Sequence, residues 1–264
     1  MRSLWTSCLL SLALAGSVSA ESESSLMVVP SRVVMEGTQR SASITLWNRS
    51  AHAATFTVSF LHFDMDERGR LSEVPAGDGM KVEEMLLVAP ASVRLEPGEG
   101  QVFRMLLHKP AQLPAGEYRV HLAFRALPEA AAISSEPQTP GVELQTLMGL
   151  SVPLIIRHHT TGSRVAIQDL HYGDGPSAML TLKLHREGDQ SVYGNLHLSW
   201  VDEMGVQQSL ATLRGIAVYP SQEHRLVELS LPAGSINGPG KLRAVFEALD
   251  QEASAETELR LPGI

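Results

Sequence analysis

Between residues 144 and 156 apolar positions recur at every second place: Leu144, Met148, Leu150, Val152, Leu154 and Ile156 share one parity, and Thr146 alone interrupts the series. A period of two is the pattern of a strand with one buried face. The run covers 13 residues, roughly twice the mean strand, and at about 3.3 Å per residue it extends roughly 40 Å. A strand of that length outruns the sheet in which it starts. Its surplus apolar edge must be hidden, shared or offered to another chain.

Shorter alternations fill most of the remaining chain. Residues 41–46 and 55–63 alternate, with Phe56, Val58 and Phe60 on one face, and a polar turn follows at 64–69. Residues 101–107 and 117–127 come next, the latter with Tyr118, Val120, Leu122 and Phe124 in phase. Residues 128–141 carry three prolines and no period, which predicts a mobile loop ahead of the long strand. After a linker at 158–162 a second set of strands is expected from Arg164 onward, at 179–185, 192–201, 225–231, 241–249 and 256–261. No helix longer than a turn or two is required. Short strands at this spacing predict an all-β chain of sandwiches or barrels, divided into residues 21–160 and 161–264.

The first twenty residues fall outside that pattern. Arg2 precedes an apolar run at 9–16, and Val18-Ser19-Ala20 fits a signal-peptide cleavage site before Glu21. Cys8 lies ahead of the apolar run, which disfavours a lipoprotein, and as the only cysteine it leaves the mature chain without a disulfide. A net charge of −8 with no lysine or arginine block argues against nucleic acid and anionic membrane surfaces as partners. No later segment is long and apolar enough for membrane insertion. A soluble exported protein is the expectation.

Ten histidines raise the question of metal chemistry, above all His158-His159. Neighbours on a strand point to opposite faces, so this pair is not expected to share an ion. No H-x-x-x-H, C-x-x-C or G-x-S-x-G motif occurs. No catalytic residue, metal or cofactor is expected. Pro153 interrupts the long strand, and because proline cannot donate to a ladder, it predicts an edge that is unpaired on one side.

Four segments resemble the periplasmic pilus-assembly chaperones of the chaperone–usher pathway, the PapD-like family. These are Val29-Pro30-Ser31-Arg32-Val33-Val34, the stretch P-A-S-V-R-L-E-P-G at 90–98 continuing through Gln101, Phe103 and Arg104, the stretch YRVHLAFRALP at 118–128, and SVPLIIR at 151–157. The second half matches mainly in size, strand content and residues 246–250. The resemblance implies two immunoglobulin-like β-sandwich domains joined at an angle with a cleft between them. It implies a periplasmic chaperone that lends its seventh strand, about residues 142–157, to pilin or fimbrial subunits and delivers them to an outer-membrane usher. Strand addition of this kind is a known mode of recognition, for which this family serves as an example.

The resemblance also assigns residues. Leu144, Thr146, Met148 and Leu150 stand on the donor half of the strand, where three apolar side chains are worth roughly 5–9 kcal/mol before ordering costs. Arg32 is implied to grip the client's terminal carboxylate and to matter little to the stability of the free protein. The family's partner lysine is replaced by Pro153, and Arg125 and Lys109 are candidates to stand in for it. Glu96, Arg157 and Asp250 are implied to form an interdomain salt bridge. Two other readings stay open: a chaperone-like protein for another exported client, and a structural pilin or adhesin.

Overall fold

The computed structural model describes residues 26–77, 82–127, 149–173, 179–232, 234–236 and 238–262. The first half contains β1 (Leu26–Val29), β2 (Val33–Met35), β3 (Ser41–Asn48), β4 (Ala54–Met65), β5 (Leu71–Val74), β6 (Leu86–Ala89), β7 (Ser92–Leu95), β8 (Gly100–Leu107), β9 (Gly116–Ala126) and β10 (Gly149–His158). The second contains β11 (Ser163–Tyr172), β12 (Met179–Gly188), β13 (Val192–Asp202), β14 (Gln207–Val218), β15 (His224–Ser230), β16 (Gly240–Ala248) and β17 (Ser254–Leu261). Among the described residues the helical content is one 3-10 turn, Val82–Met85.

Each half is a sandwich of two sheets. In the first, β1-β3-β8-β6 faces β2-β10-β9-β4-β5, with β7 paired to a different stretch of β4 from β5. In the second, β11-β12-β15 faces β14-β13-β16-β17. The alternating apolar positions meet between the sheets. Phe103 and Phe124 pack edge to face at 5.0 Å between ring centroids, surrounded by Leu46, Met105, Leu122, Leu154 and Ile156. Leu182, Leu196, Leu198 and Phe246 form the second core. Full burial of each such side chain stabilises the fold by about 1.5–3 kcal/mol.

A third, smaller cluster joins the halves. Met65 and Ile155 of the first sandwich pack on Ala217 and Tyr219 of the second. Ile155 lies between Leu154 and Ile156, so β10 is apolar on both faces here, with one face in its own core and the other toward the second sandwich. The turn at 66–70 adds a second strut. The Leu226 amide donates to the Glu67 carbonyl at 2.7 Å, Arg68 pairs with Glu228 at 2.6 Å, and the Gln222 side-chain amide donates to the Met65 carbonyl. Gly69 makes this approach possible. Its φ is +78°, and a Cβ there would overlap the Arg225 guanidinium.

Two details differ from the expectation, and part of it falls outside the described residues. Residues 29–34, which resemble the first strand of the family, do not form one strand here: β1 joins the sheet of β3, and β2 joins the sheet of β10. Pro30, which has no N–H for a ladder, stands where the chain crosses. Strand β14 escapes the alternation rule because its first three residues are exposed and two register shifts against β13 break its period. The long strand is described only from Gly149 onward. Residues 144–148 and the proline-rich stretch at 128–141 lie outside the described residues.

Candidate functional site

The contact between the halves is organised around Arg157, at the end of β10. Its side chain is 2% exposed and touches three carboxylates: Nε to Glu117 Oε2 at 3.2 Å, Nη1 to Glu36 Oε2 at 3.4 Å, and Nη2 to Asp250 Oδ2 at 3.0 Å. Nη2 also donates to the Ser191 carbonyl at 3.2 Å. Burial alone would lower the guanidinium pKa, but Asp250 and Glu117 outweigh it, and the net shift is upward. The Ser191 amide and hydroxyl both donate to Glu117 Oε2 at 2.9 Å, which ties the β12–β13 turn to β9. Such charge-assisted bonds are roughly twice as strong as neutral ones.

Arg157 and Asp250 are thus in contact, but Glu96 is not with them. It is exposed at the end of β7, paired with Arg94 at 3.6 Å, and its amide is capped by Glu99. Glu117 and Glu36 occupy the place that the resemblance assigned to Glu96. The register gives the reason: Glu117 and Arg157 are directly paired across β9 and β10.

Arg32 sits at the start of β2 and enters the same network. Its side chain is 7% exposed, and Nη2 donates to Ser191 Oγ at 2.9 Å and to Asp250 Oδ2 at 3.3 Å. Its guanidinium lies 4.6 Å from the centre of the Tyr193 ring and 5.9 Å from that of Tyr219. Nε and Nη1 are buried and have no hydrogen-bond acceptor among the described residues. Arg32 is therefore an interface residue in the free protein, in contact with Ser191 and Asp250 of the second sandwich.

The two proposed stand-ins for the lysine go elsewhere. Lys109 Nζ donates to the carbonyls of Arg157 and Gly37, and Arg125 is exposed beside Gly149. Pro153 pairs in register with His121, whose side chain is buried against Phe63 with ring centroids 4.8 Å apart. Burial, together with the charges of Arg119, Arg32 and His62, lowers the His121 pKa to about 4. Among the described residues no group of three histidine, cysteine or acidic side chains is placed to hold a metal. His158 and His159 do not splay apart as strand neighbours would. His159 has left the strand at φ +50°, and the two rings come within 4.1 Å.

Strand β10 is paired unequally on its two sides. Against β9 it pairs at every position from Gly149 to His158, whereas against β2 it pairs only at Leu154, Ile155 and Ile156. Residues 149–153 therefore present an edge without a ladder partner among the described residues, and Pro153 stands at its inner end. Leu150 is half-buried against the first core, while Val152, Leu154 and Ile156 are fully inside it. Leu144, Thr146 and Met148 lie outside the described residues.

Two facing-sheet sandwiches are thus joined through a buried ionic network, and one strand is paired along only part of one side. The chain matches the family of pili and flagellar-assembly chaperones, PapD N-terminal domain, over residues 25–161 and belongs to it: the protein is a pilus-assembly chaperone. The family is one of periplasmic chaperones and is not an enzyme class. Solved structures similar to the chain include the CupB2 chaperone of Pseudomonas aeruginosa, at 15% identity and TM-score 0.42, covering 89% of this chain and 100% of that one. The CsuC–CsuE chaperone–tip adhesion subunit complex of Acinetobacter baumannii matches at 12% identity and TM-score 0.45, covering 90% and 99%. The complex of the SafA pilin with the SafB chaperone of Salmonella enterica matches at 15% and 0.43, covering 89% and 96%. No curated protein matches the chain.

Proposed function

We propose that the protein holds pilin or fimbrial subunits by adding β10, extended through residues 142–148, to a client's incomplete sheet. The observation that carries this reading is the one-sided pairing of β10 at residues 149–153. An unpaired edge is a template for another strand, and in strand addition the backbone ladder gives affinity while alternate side chains give specificity. Leu144, Met148 and Leu150, with Thr146 among them, continue the parity of the core-facing residues and enter the client's groove. Arg32, one position ahead of the β2–β10 pairing, meets the client strand where the open edge ends and takes its terminal carboxylate. Arg157, Asp250 and Glu117 hold the two sandwiches at a fixed angle and make no contact with the client.

The chain is exported through a signal segment at residues 1–20, divides into domains at 21–160 and 161–264, acts without catalysis, and passes its client to an outer-membrane usher. Co-expression with a pilin subunit tests the reading. The double variant Leu144→Ser/Met148→Ser should lose the pilin while itself remaining folded. Equal recovery of pilin by wild type and this variant would show that these side chains are not donated.

A further inference from the structure

On the face turned away from its own core, β10 tapers toward its open end. Arg157, Ile155, Pro153, Ser151 and Gly149 share that parity, and the first two are taken up by the second sandwich. The neighbouring strands do not cover the remainder. Ser151 is opposite Ala123 of β9, and Ala123 is opposite Ser59 of β4, so three small side chains lie in register across three strands. Gly149, opposite Arg125, adds nothing to the face. A Cβ there would stand 3.3 Å from the Phe124 carbonyl oxygen and 3.5 Å from Arg125 Cγ, so the arginine stem lies beside the space that the glycine leaves.

The result is a crevice of about 280 Å³ whose lining includes Gly149, Ser151, Ala123, Leu61, Phe63 and Arg125, with Glu73 also in its wall. That is below the roughly 300–1,000 Å³ of small-molecule pockets and suits one large side chain. Two observations say what enters it. Gly149 and Ser151 line the crevice and also belong to the edge at 149–153 that has no ladder partner among the described residues. Side chains directly opposite on paired strands share a face at about 4.5–5.5 Å between Cβ atoms, so a residue added opposite Ser151 stands at the mouth. The second observation is the chemistry of the wall. Arg125 is exposed, and a guanidinium is attracted to the face of an aromatic ring within about 6 Å. Leu61 and Phe63 supply apolar surface and a ring edge. An acidic side chain would meet Glu73 there and a basic one would meet Arg125, whereas an aromatic ring suits both walls.

We propose that the crevice formed by Ser151, Ala123 and Arg125 is a specificity pocket that receives an aromatic side chain from the client strand added to the open edge of β10. The assignment rests on the reading of β10 as a donated strand. It gives that strand a second working face. The parity of Leu150 fills the client's groove, and the parity of Ser151 admits a client side chain into the chaperone. A backbone ladder accepts any sequence, while a side-chain pocket discriminates among clients.

A double-mutant cycle between chaperone and client tests the assignment. The probe is a co-expressed pilin in which each aromatic residue of the strand pairing with β10 is changed in turn to Ala. Ser151→Phe fills the crevice from within. Ser151 is exposed and Phe suits a strand, so this variant should keep its fold and its ladder. It should recover the natural pilin roughly tenfold less well than wild type, the lower end of what burying one aromatic side chain supplies. Ser151→Thr should recover it as wild type does. One trimmed pilin should be recovered equally poorly by wild type and by Ser151→Phe, because both changes remove the same contact. Arg125→Gln, at the exposed wall, should weaken capture of the natural pilin and leave that trimmed pilin unaffected. Natural pilin recovered equally by Ser151→Phe and wild type would overturn the assignment, as would trimmed pilins that all behave like the natural one, or losses that simply add. Other occupants are read in the free chaperone by maleimide labelling of Ser151→Cys in a Cys8→Ser background. Rapid labelling leaves the crevice to the client. Slow labelling at every concentration would mean that the chain covers its own crevice, and slow labelling only at high concentration that a second copy does; either overturns the assignment. Leu144→Ser/Met148→Ser reports on strand donation separately. Loss of pilin by that variant upholds donation even where the crevice assignment fails, and full recovery removes both.

Discussion

Arg32 and Arg157 share one carboxylate oxygen: Asp250 Oδ2 accepts from Arg157 Nη2 at 3.0 Å and from Arg32 Nη2 at 3.3 Å. The first arginine introduces β2 and the second ends β10, and Asp250 follows β16 in the other sandwich. One acid of the second half therefore holds two cations of the first. Arg32, the residue proposed to take the client's carboxylate, is thereby coupled to the network between the domains.

Removal of Arg157 should be severe. Arg157→Ala leaves Glu117, 1% exposed, without its cation, and breaking a buried pair from one side costs about 3–5 kcal/mol. Glu96→Ala should stay within about 0.5 kcal/mol, as for a solvated surface residue. Urea unfolding of both variants checks the pair of values. A larger loss for Glu96→Ala than for Arg157→Ala would reverse the assignment of the network.

Because they meet at Asp250, Arg32 and Arg157 should not act independently. The double variant Arg32→Ala/Arg157→Ala should depart from the sum of the single effects by about 0.5–3 kcal/mol, the range for residues in one network. A double-mutant cycle measured by thermal unfolding provides the test. Additivity within error would separate the two arginines.

The strut at the 66–70 turn depends on Gly69. Gly69→Ala must adopt a left-handed φ of +78° and displace the Arg225 guanidinium, and strain of this kind costs on the order of 1–3 kcal/mol. Solution scattering should show a changed angle between the sandwiches together with a lower unfolding midpoint. An unchanged scattering profile and midpoint would mean that the turn carries no load.

His121 makes the fold acid-sensitive. Burial first, then Arg119, Arg32 and His62, hold its pKa at about 4, against 6.5 for a free histidine. The unfolded chain therefore binds a proton more readily than the folded one between these values. Stability is fully present above pH 6.5 and falls as the pH drops toward 4, by about 3 kcal/mol from this group. In His121→Gln that part of the slope should vanish when urea midpoints are compared from pH 7 to pH 4. Identical slopes for the variant and wild type would remove His121 as the cause.

Much of the architecture was legible because the first-half strands are half-buried, so that Val120, Leu122 and Phe124 advertise their shared face. Strand β14 was not, because an exposed polar start and two register shifts leave no period to read. The resemblance led to Arg157 and Asp250, which do meet. Glu117 could not be found, because nothing in a sequence says which residue of β9 is opposite Arg157 until the strands are paired.

The central claim is that the open edge of β10 is completed by a client. Amide hydrogen exchange at residues 149–152, followed in the free protein and in its complex with a co-expressed pilin, tests this most directly. Amides on the edge turned away from β9 should exchange freely in the isolated chaperone and become strongly protected in the complex, while those paired to β9 stay slow in both. A stable pilin complex in which the edge amides of residues 149–152 still exchange as in the free protein would contradict the account.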